Sequence, residues 1–240
     1  MKFAYDDQVA ALVAKDAASI DDVVAKLRGV DALLDGTRDG LKWFNTLYLE
    51  VTLAVKDRVA RNDFSSGAAG SAYIATLDFA FANLYFAALR GWLGGGALPE
   101  SWRVLLEQRG NAALARIQFA LAGVNAHINR DLAVAVVNTC AQPRHGTVEY
   151  TAYTEVNTTL DSLVEQAKTE LMVSLPGDSL AAVDTVEQVV ASWSVEAARE
   201  SAWVHAEVLA ALEVESELGR RFIESTDGAA ALAGKALLIG

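Results

Sequence analysis

An all-α fold, in one domain over residues 1–240, is expected from three features of the chain. Only three prolines interrupt it. Alanine and leucine, strong helix formers, recur throughout. Apolar residues return at three- and four-residue spacing rather than alternating. The hydrophobic share of 52% is enough to fill one sizeable core. About eight or nine helices are therefore predicted, packed around a central buried helix near 111–140.

The elements follow from local signals. Ser19 is a plausible N-cap for a helix over about Ile20 to Leu34, and the acidic pair Asp21-Asp22 suits the positive helix end. Gly36 closes it. A second helix runs from about Gly40 to Arg61, with Trp43, Leu47, Val51 and Val55 on one side. The turn Asn62 to Gly70 precedes a third, about Ser71 to Leu93, which is aromatic on more than one side and so should be deeply placed. Gly94-Gly95-Gly96 is a turn that lacks the flanking signals of a phosphate loop. Pro99 starts a short helix that Gly110 ends. The central helix spans about Asn111 to Cys140. Further helices are predicted over about Val148 to Met172, Ser179 to Ser192, Val195 to Leu212 and Glu215 to Leu238.

Composition narrows the function classes. A net charge of −11 without a cluster of Lys and Arg argues against nucleic acid as a partner. The single cysteine, Cys140, excludes an internal disulfide and any zinc site built on several cysteines. Acidic residues follow Met1-Lys2-Phe3-Ala4-Tyr5 where an export signal would need its apolar stretch, so a cytoplasmic location is expected. The stretch from about Leu114 to Val137 is long enough to span a membrane. It carries His127, Arg130 and Asp131, however, and burial in a globular core is the cheaper reading, without membrane insertion.

Those charged residues are the most informative feature. Asn125, His127, Asn129, Arg130 and Asp131 interrupt a helix that is otherwise apolar all round, and buried polar groups need partners. At 100° per residue Asp131 falls on the side of His127, while Asn125, Ile128 and Leu132 fall opposite. A His–Asp pair four residues apart fits a structural hydrogen bond, two ligands of one metal, or a base with its orienting carboxylate. Arg130 points away from His127 and is expected to pair with Asp78 or Glu200. Asp78, flanked by apolar residues, is a candidate buried carboxylate. Asn45, Tyr48, Asn83 and Tyr85 could hydrogen-bond a ligand, and Trp193 and Trp203 could line a pocket. His145, in a turn, is expected to be exposed and idle.

Several segments carry a family resemblance: Trp43-Phe44-Asn45-Thr46-Leu47-Tyr48-Leu49-Glu50-Val51-Thr52, Phe81-Ala82-Asn83-Leu84-Tyr85-Phe86, and Gln118 to Asn129 with its Asn-Ala-His-Ile-Asn core. Over about Asp21 to Leu238 the chain resembles an actinobacterial family of domains of unknown function. The resemblance implies a helical fold and no established reaction. In that pattern position 130 is commonly histidine, whereas this chain has Arg130, which removes a potential ligand and adds a charge that repels a cation. A fainter resemblance, carried by the spacing of Gly123, His127 and Asp131, is to helical zinc-dependent phospholipases C.

The function expected is that of a cofactor-independent enzyme enclosing an apolar small molecule, such as a polyketide- or terpenoid-like metabolite, between helices. His127 would be the acid or base, Asp131 would fix its tautomer, and Arg130 or Asn83 would stabilise charge on an oxygen, in a cyclisation, isomerisation or elimination. Two alternatives stand beside it. One is metal-dependent hydrolysis with His127, Asp131, Asp78 and His205 as ligands. The other is a non-catalytic binding or scaffold protein. A homodimer is compatible with all three.

Overall fold

A computed structural model of the chain describes residues 2–171 and 194–239. Among them all regular structure is helical, with no strand. The helices are α1 (Asp6–Leu12), α2 (Ile20–Leu33), α3 (Leu41–Ala60), α4 (Ala68–Gly94), α5 (Glu100–Gln108), α6 (Arg116–Ala126), a π turn (His127–Asp131), α7 (Leu132–Thr139), α8 (Val148–Glu155), α9 (Asn157–Leu171), α10 (Val195–Leu212) and α11 (Glu217–Leu237). The helix predicted over 179–192 and the side chain of Trp193 lie outside the described residues.

The predicted cap at Ser19 forms, and two further serines cap helices. The Ser19 hydroxyl accepts the Asp22 amide of α2, and Ser194 and Ser216 do the same for α10 and α11. Helix α1 was not expected; its roughly two turns carry too few apolar positions to show a period. The central helix starts later than its apolar run suggests. Residues 111–115 form a turn in which the Asn111 side chain accepts the Ala113 amide, and the Gln118 side chain accepts that of Ala115. The helix predicted over 148–172 is interrupted at Val156.

α6, the π turn and α7 run consecutively as the central rod, and residues 117–126 are all buried. Around the rod α3 packs on α6, α11 on α6 and α5, α4 and α10 on α7, and α10 also reaches the π turn. Each fully buried large side chain here, such as Phe44, Tyr85 or Trp102, contributes roughly 1.5–3 kcal/mol by leaving water. Helix α4 is long and apolar enough to cross a membrane by length and composition alone, with mean hydropathy reaching 1.4. In the structure it packs against α3, α7 and α8, burying Tyr73, Ile74, Leu77, Tyr85 and Phe86.

Glycine permits the closest approach to the rod. A Cβ on Gly123 would lie 2.3 Å from the Phe44 ring, so only a residue without a side chain lets α3 seat that ring against α6. At one end of the molecule Arg109, 1% exposed, is held by Asp39 through paired hydrogen bonds and by Asp6 at 3.1 Å. Two carboxylates around one guanidinium tie α1 and the loop before α3 to the end of α5, a network of three sequence-distant charges.

Candidate active site

The polar cluster of the central helix is where the backbone departs from α geometry. The Leu132 amide donates to the His127 carbonyl, five residues back, making His127–Asp131 a π turn. A π turn advances less than 100° per residue. Leu132, five residues on and expected opposite His127, therefore swings round to line the same cavity, and Ile128, also expected opposite but only one step from His127, lines it too. Asn125 does face away: its Nδ2 donates to the Ala230 carbonyl of α11, and its Oδ1 accepts from Asn129. These two asparagines lock the rod to α11 on the side remote from the cavity.

Asp131 is fully buried and collects three donors. Its Oδ2 accepts Trp102 Nε1–H at 2.8 Å and lies 3.1 Å from His127 Nδ1, and its Oδ1 accepts Arg130 Nη1 at 2.6 Å. A carboxylate is acceptor-only, so Nδ1 of His127 carries the proton and Nε2 is left with its lone pair. Burial pushes the His127 pKa below its ordinary value, outweighing the opposing hydrogen bond and charge of Asp131, and the ring is neutral at neutral pH. Nε2 is buried and has no hydrogen-bond partner among the described residues. Arg130 does not reach Asp78 or Glu200 as expected. Its flexible stem turns the guanidinium back onto the carboxylate of its neighbour.

Aromatic rings fix the imidazole. Phe81 stacks on it at 3.5 Å between centroids with planes 6° apart, and Tyr48 and Phe44 meet it edge-on at 4.6 and 5.8 Å. The ring borders a cavity of about 80 Å³ whose walls are mostly aliphatic side chains of α3, α4, the rod, α9 and α10. Its polar lining is His127, Tyr48, Asp78 and Arg199. The Tyr48 hydroxyl and one carboxyl oxygen of Asp78 are, like His127 Nε2, buried without partner among the described residues. Burial raises the Asp78 pKa to about 8, and burial, helped by the charges of Asp78 and Asp131, raises that of Tyr48 well above its usual value. At neutral pH the cavity thus offers an uncharged carboxyl donor, a phenol donor and one imidazole acceptor. Each bare group costs about 1–3 kcal/mol in a dry site, which a ligand with matching polar atoms recovers.

Other predicted residues serve the scaffold. Asn45 donates to the Leu27 carbonyl and accepts the Tyr85 hydroxyl, tying α2, α3 and α4 together. Asn83 exchanges two hydrogen bonds with the backbone of Ala17. Trp203 is buried against Tyr150 and Tyr153 with its Nε1 on Glu207. None of these, nor Asn125 or Arg130, lines the cavity. His145 is not idle: its two ring nitrogens lie 2.8 Å from Glu207 and Glu200 of α10, which raises its pKa. The alternative metal ligands do not assemble. No group of three or more potential ligands occurs among the described residues, both Asp131 oxygens are engaged, and His205 packs on Phe222 at a different surface.

The sequence does not single out Trp102, Phe44 or Phe81 for the site. Trp102 reads in sequence as an apolar residue of a short helix, and only the crossing of α5 over the rod turns its N–H toward Asp131. The aromatic pattern of α3 and α4 did carry a signal, since Phe44 and Tyr48, and Phe81 and Tyr85, recur at four-residue spacing.

No curated protein matches the chain, and no solved structure does. Residues 20–239 match the family described as "Family of unknown function (DUF5995)". With that match covering nearly its whole length, the chain belongs to this family of unknown function.

Proposed function

We propose that the protein is a small-molecule enzyme that encloses an apolar substrate, or the apolar reacting end of one, between α3, α4 and the central rod and moves protons on it. The observation that carries the reading is the bare Nε2 of His127. It is the one basic lone pair facing the cavity among the described residues, oriented by Asp131 through Nδ1 and wedged between Phe81 and Tyr48. An orienting carboxylate behind an imidazole is the arrangement of a general base.

The chemistry that fits is isomerisation or elimination next to a carbonyl or hydroxyl. Nε2 takes a proton from carbon, and Asp131 stabilises the resulting imidazolium. The uncharged Asp78 carboxyl, or the Tyr48 hydroxyl, gives a proton to the substrate oxygen on which electron density collects. Returning protons to different atoms completes an isomerisation without any change of oxidation state. The oxygen-stabilising role passes from Arg130 and Asn83, which face elsewhere, to Asp78 and Tyr48. Size bounds the substrate. At about 80 Å³ the cavity is about half the roughly 150 Å³ void that holds benzene, which favours a slim chain over a fused polycyclic skeleton.

The test is proton exchange. Short-chain ketones and enones, small enough for the cavity, are incubated with the protein in deuterated buffer, and deuterium uptake is followed by mass spectrometry. The wild type should catalyse exchange, and His127→Gln should lose about 10²–10⁴-fold of the rate. Ketones that bind, as read by tryptophan fluorescence, yet exchange no faster than in buffer would replace the enzyme reading with a binding protein.

A further inference from the structure

Resting on that reading, we infer that the substrate carries a carboxylate, or an equivalent single negative charge, and that Arg199 anchors it at the α10 wall of the cavity. The substrate class is then a slim aliphatic acid, gripped at its head by Arg199 and exposed to His127 along its chain.

The two buried arginines of this chain show why. Arg109 and Arg199 are 1% and 5% exposed. Arg109 is neutralised by Asp39 and Asp6. Arg199 has no carboxylate within ion-pair distance among the described residues. Glu200, its neighbour in sequence, is taken by His145 and Tyr150. Arg199 spends Nε–H on the Asn157 side chain at 2.6 Å and one Nη2–H on the Tyr153 carbonyl at 2.8 Å. Its guanidinium lies over the Tyr153 ring at 4.0 Å. These neutral contacts fix the plane of the group, and the Nη1 hydrogens stay without a partner among the described residues. A buried cation with no carboxylate in ion-pair contact, Asp161 acting on it only from farther away, is costly, and the cost is relieved by an anion that receives the free edge of the fork.

Position supports the same conclusion. Arg199 follows Val195 by one helical turn, and both line the cavity that His127, Asp78 and Tyr48 also line. Val156, Leu160 and Val164 of the α8–α9 segment complete the wall near them with aliphatic side chains only. An aliphatic acid matches this sequence of surfaces: a cationic fork, an apolar wall, then uncharged proton donors and an acceptor. The aromatic face beneath the guanidinium and the Tyr153 carbonyl, in the last turn of α8, hold Arg199 in place when the site is empty, so the anchor is built before ligand arrives.

The experiment compares butanoate with butan-1-ol, two probes of one chain length, short enough for a cavity of about 80 Å³, that differ in head-group charge. Binding is read by tryptophan fluorescence and by thermal shift near neutral pH. The wild type should bind butanoate at least tenfold more tightly than butan-1-ol. Arg199→Gln should reduce that preference to about twofold or less, and Arg199→Lys should keep part of it. Equal binding of acid and alcohol by the wild type overturns the anchor and leaves the apolar cavity standing. Failure of both probes to bind overturns the anchor and the cavity reading together. If Arg199→Gln does not fold, the wild-type comparison still tests the charge preference and Arg199→Lys tests its assignment to Arg199: a preference wholly unchanged in Arg199→Lys overturns the anchor.

Discussion

Replacing Asp78 with asparagine should make the protein more stable and less active, and the stability gain should depend on pH. In the folded chain burial holds the Asp78 proton to about pH 8, whereas the unfolded chain releases it near the ordinary value of 3.8. Between those values the native state binds a proton that the unfolded state does not. Wild-type stability therefore falls as pH rises through this window, by at most about 1.4 kcal/mol per unit. From about pH 5 to about pH 8 the ceiling is about 4 kcal/mol, and because part of the side chain meets solvent, about 2 kcal/mol is expected. Asparagine has a similar shape and no proton to lose. Urea unfolding of both proteins at the two pH values isolates this one group, since other titrations cancel in the difference. The advantage of Asp78→Asn should grow by about 2 kcal/mol toward the higher pH. An advantage unchanged to within about 0.5 kcal/mol would show that Asp78 is ionised in the native state across the range, and the proton-donor role would fall with it.

Three further outcomes follow from the geometry. Gly123→Ala drives a methyl into the Phe44 ring and should destabilise by about 1–3 kcal/mol in the same unfolding assay. It should also loosen the imidazole, visible as a broadened His127 ring resonance. Trp102→Phe removes one donor from the buried Asp131 carboxylate and should cost about 1.5–3 kcal/mol, measured by urea unfolding, with no matching loss for Trp43→Phe. His145, bracketed by Glu200 and Glu207, should titrate above 6.5 by NMR. Its folded pKa is raised, so the stability it lends is complete below about 6.5 and is lost as pH rises through the folded value. A His145 pKa at or below 6.5 would contradict the bracket.

Much of the fold was legible because helix length, caps and breaks are local properties. Ser19, Pro99 and the apolar spacing of α3 place helix ends within a few residues of those observed. The site was legible only in part. His127 and Asp131 stood out because polar residues in an apolar run demand partners, and Asp78 and Tyr48 because they interrupt apolar helix faces. The directions of side chains were not legible across the rod. A wheel drawn at one fixed angle cannot represent a π turn, and it put Leu132 on the wrong side. Polar side chains that bond elsewhere defeated the pattern for a different reason: Arg130 folds back on its neighbour, and Asn45 and Asn83 find backbone carbonyls on α2 and in the loop before it. The Trp102–Asp131 bond and the Arg109 network join residues whose proximity depends on how helices cross, and a single sequence carries no direct signal of that crossing.

The central claim is that His127 presents an unprotonated Nε2 to an apolar cavity while Asp131 holds the proton on Nδ1. Nitrogen-15 NMR of the imidazole, across a pH titration of the intact protein, reads both properties at once. The account predicts the Nδ1–H tautomer and a midpoint below the ordinary 6.5. An imidazolium at neutral pH, or a neutral ring with its proton on Nε2, would contradict it.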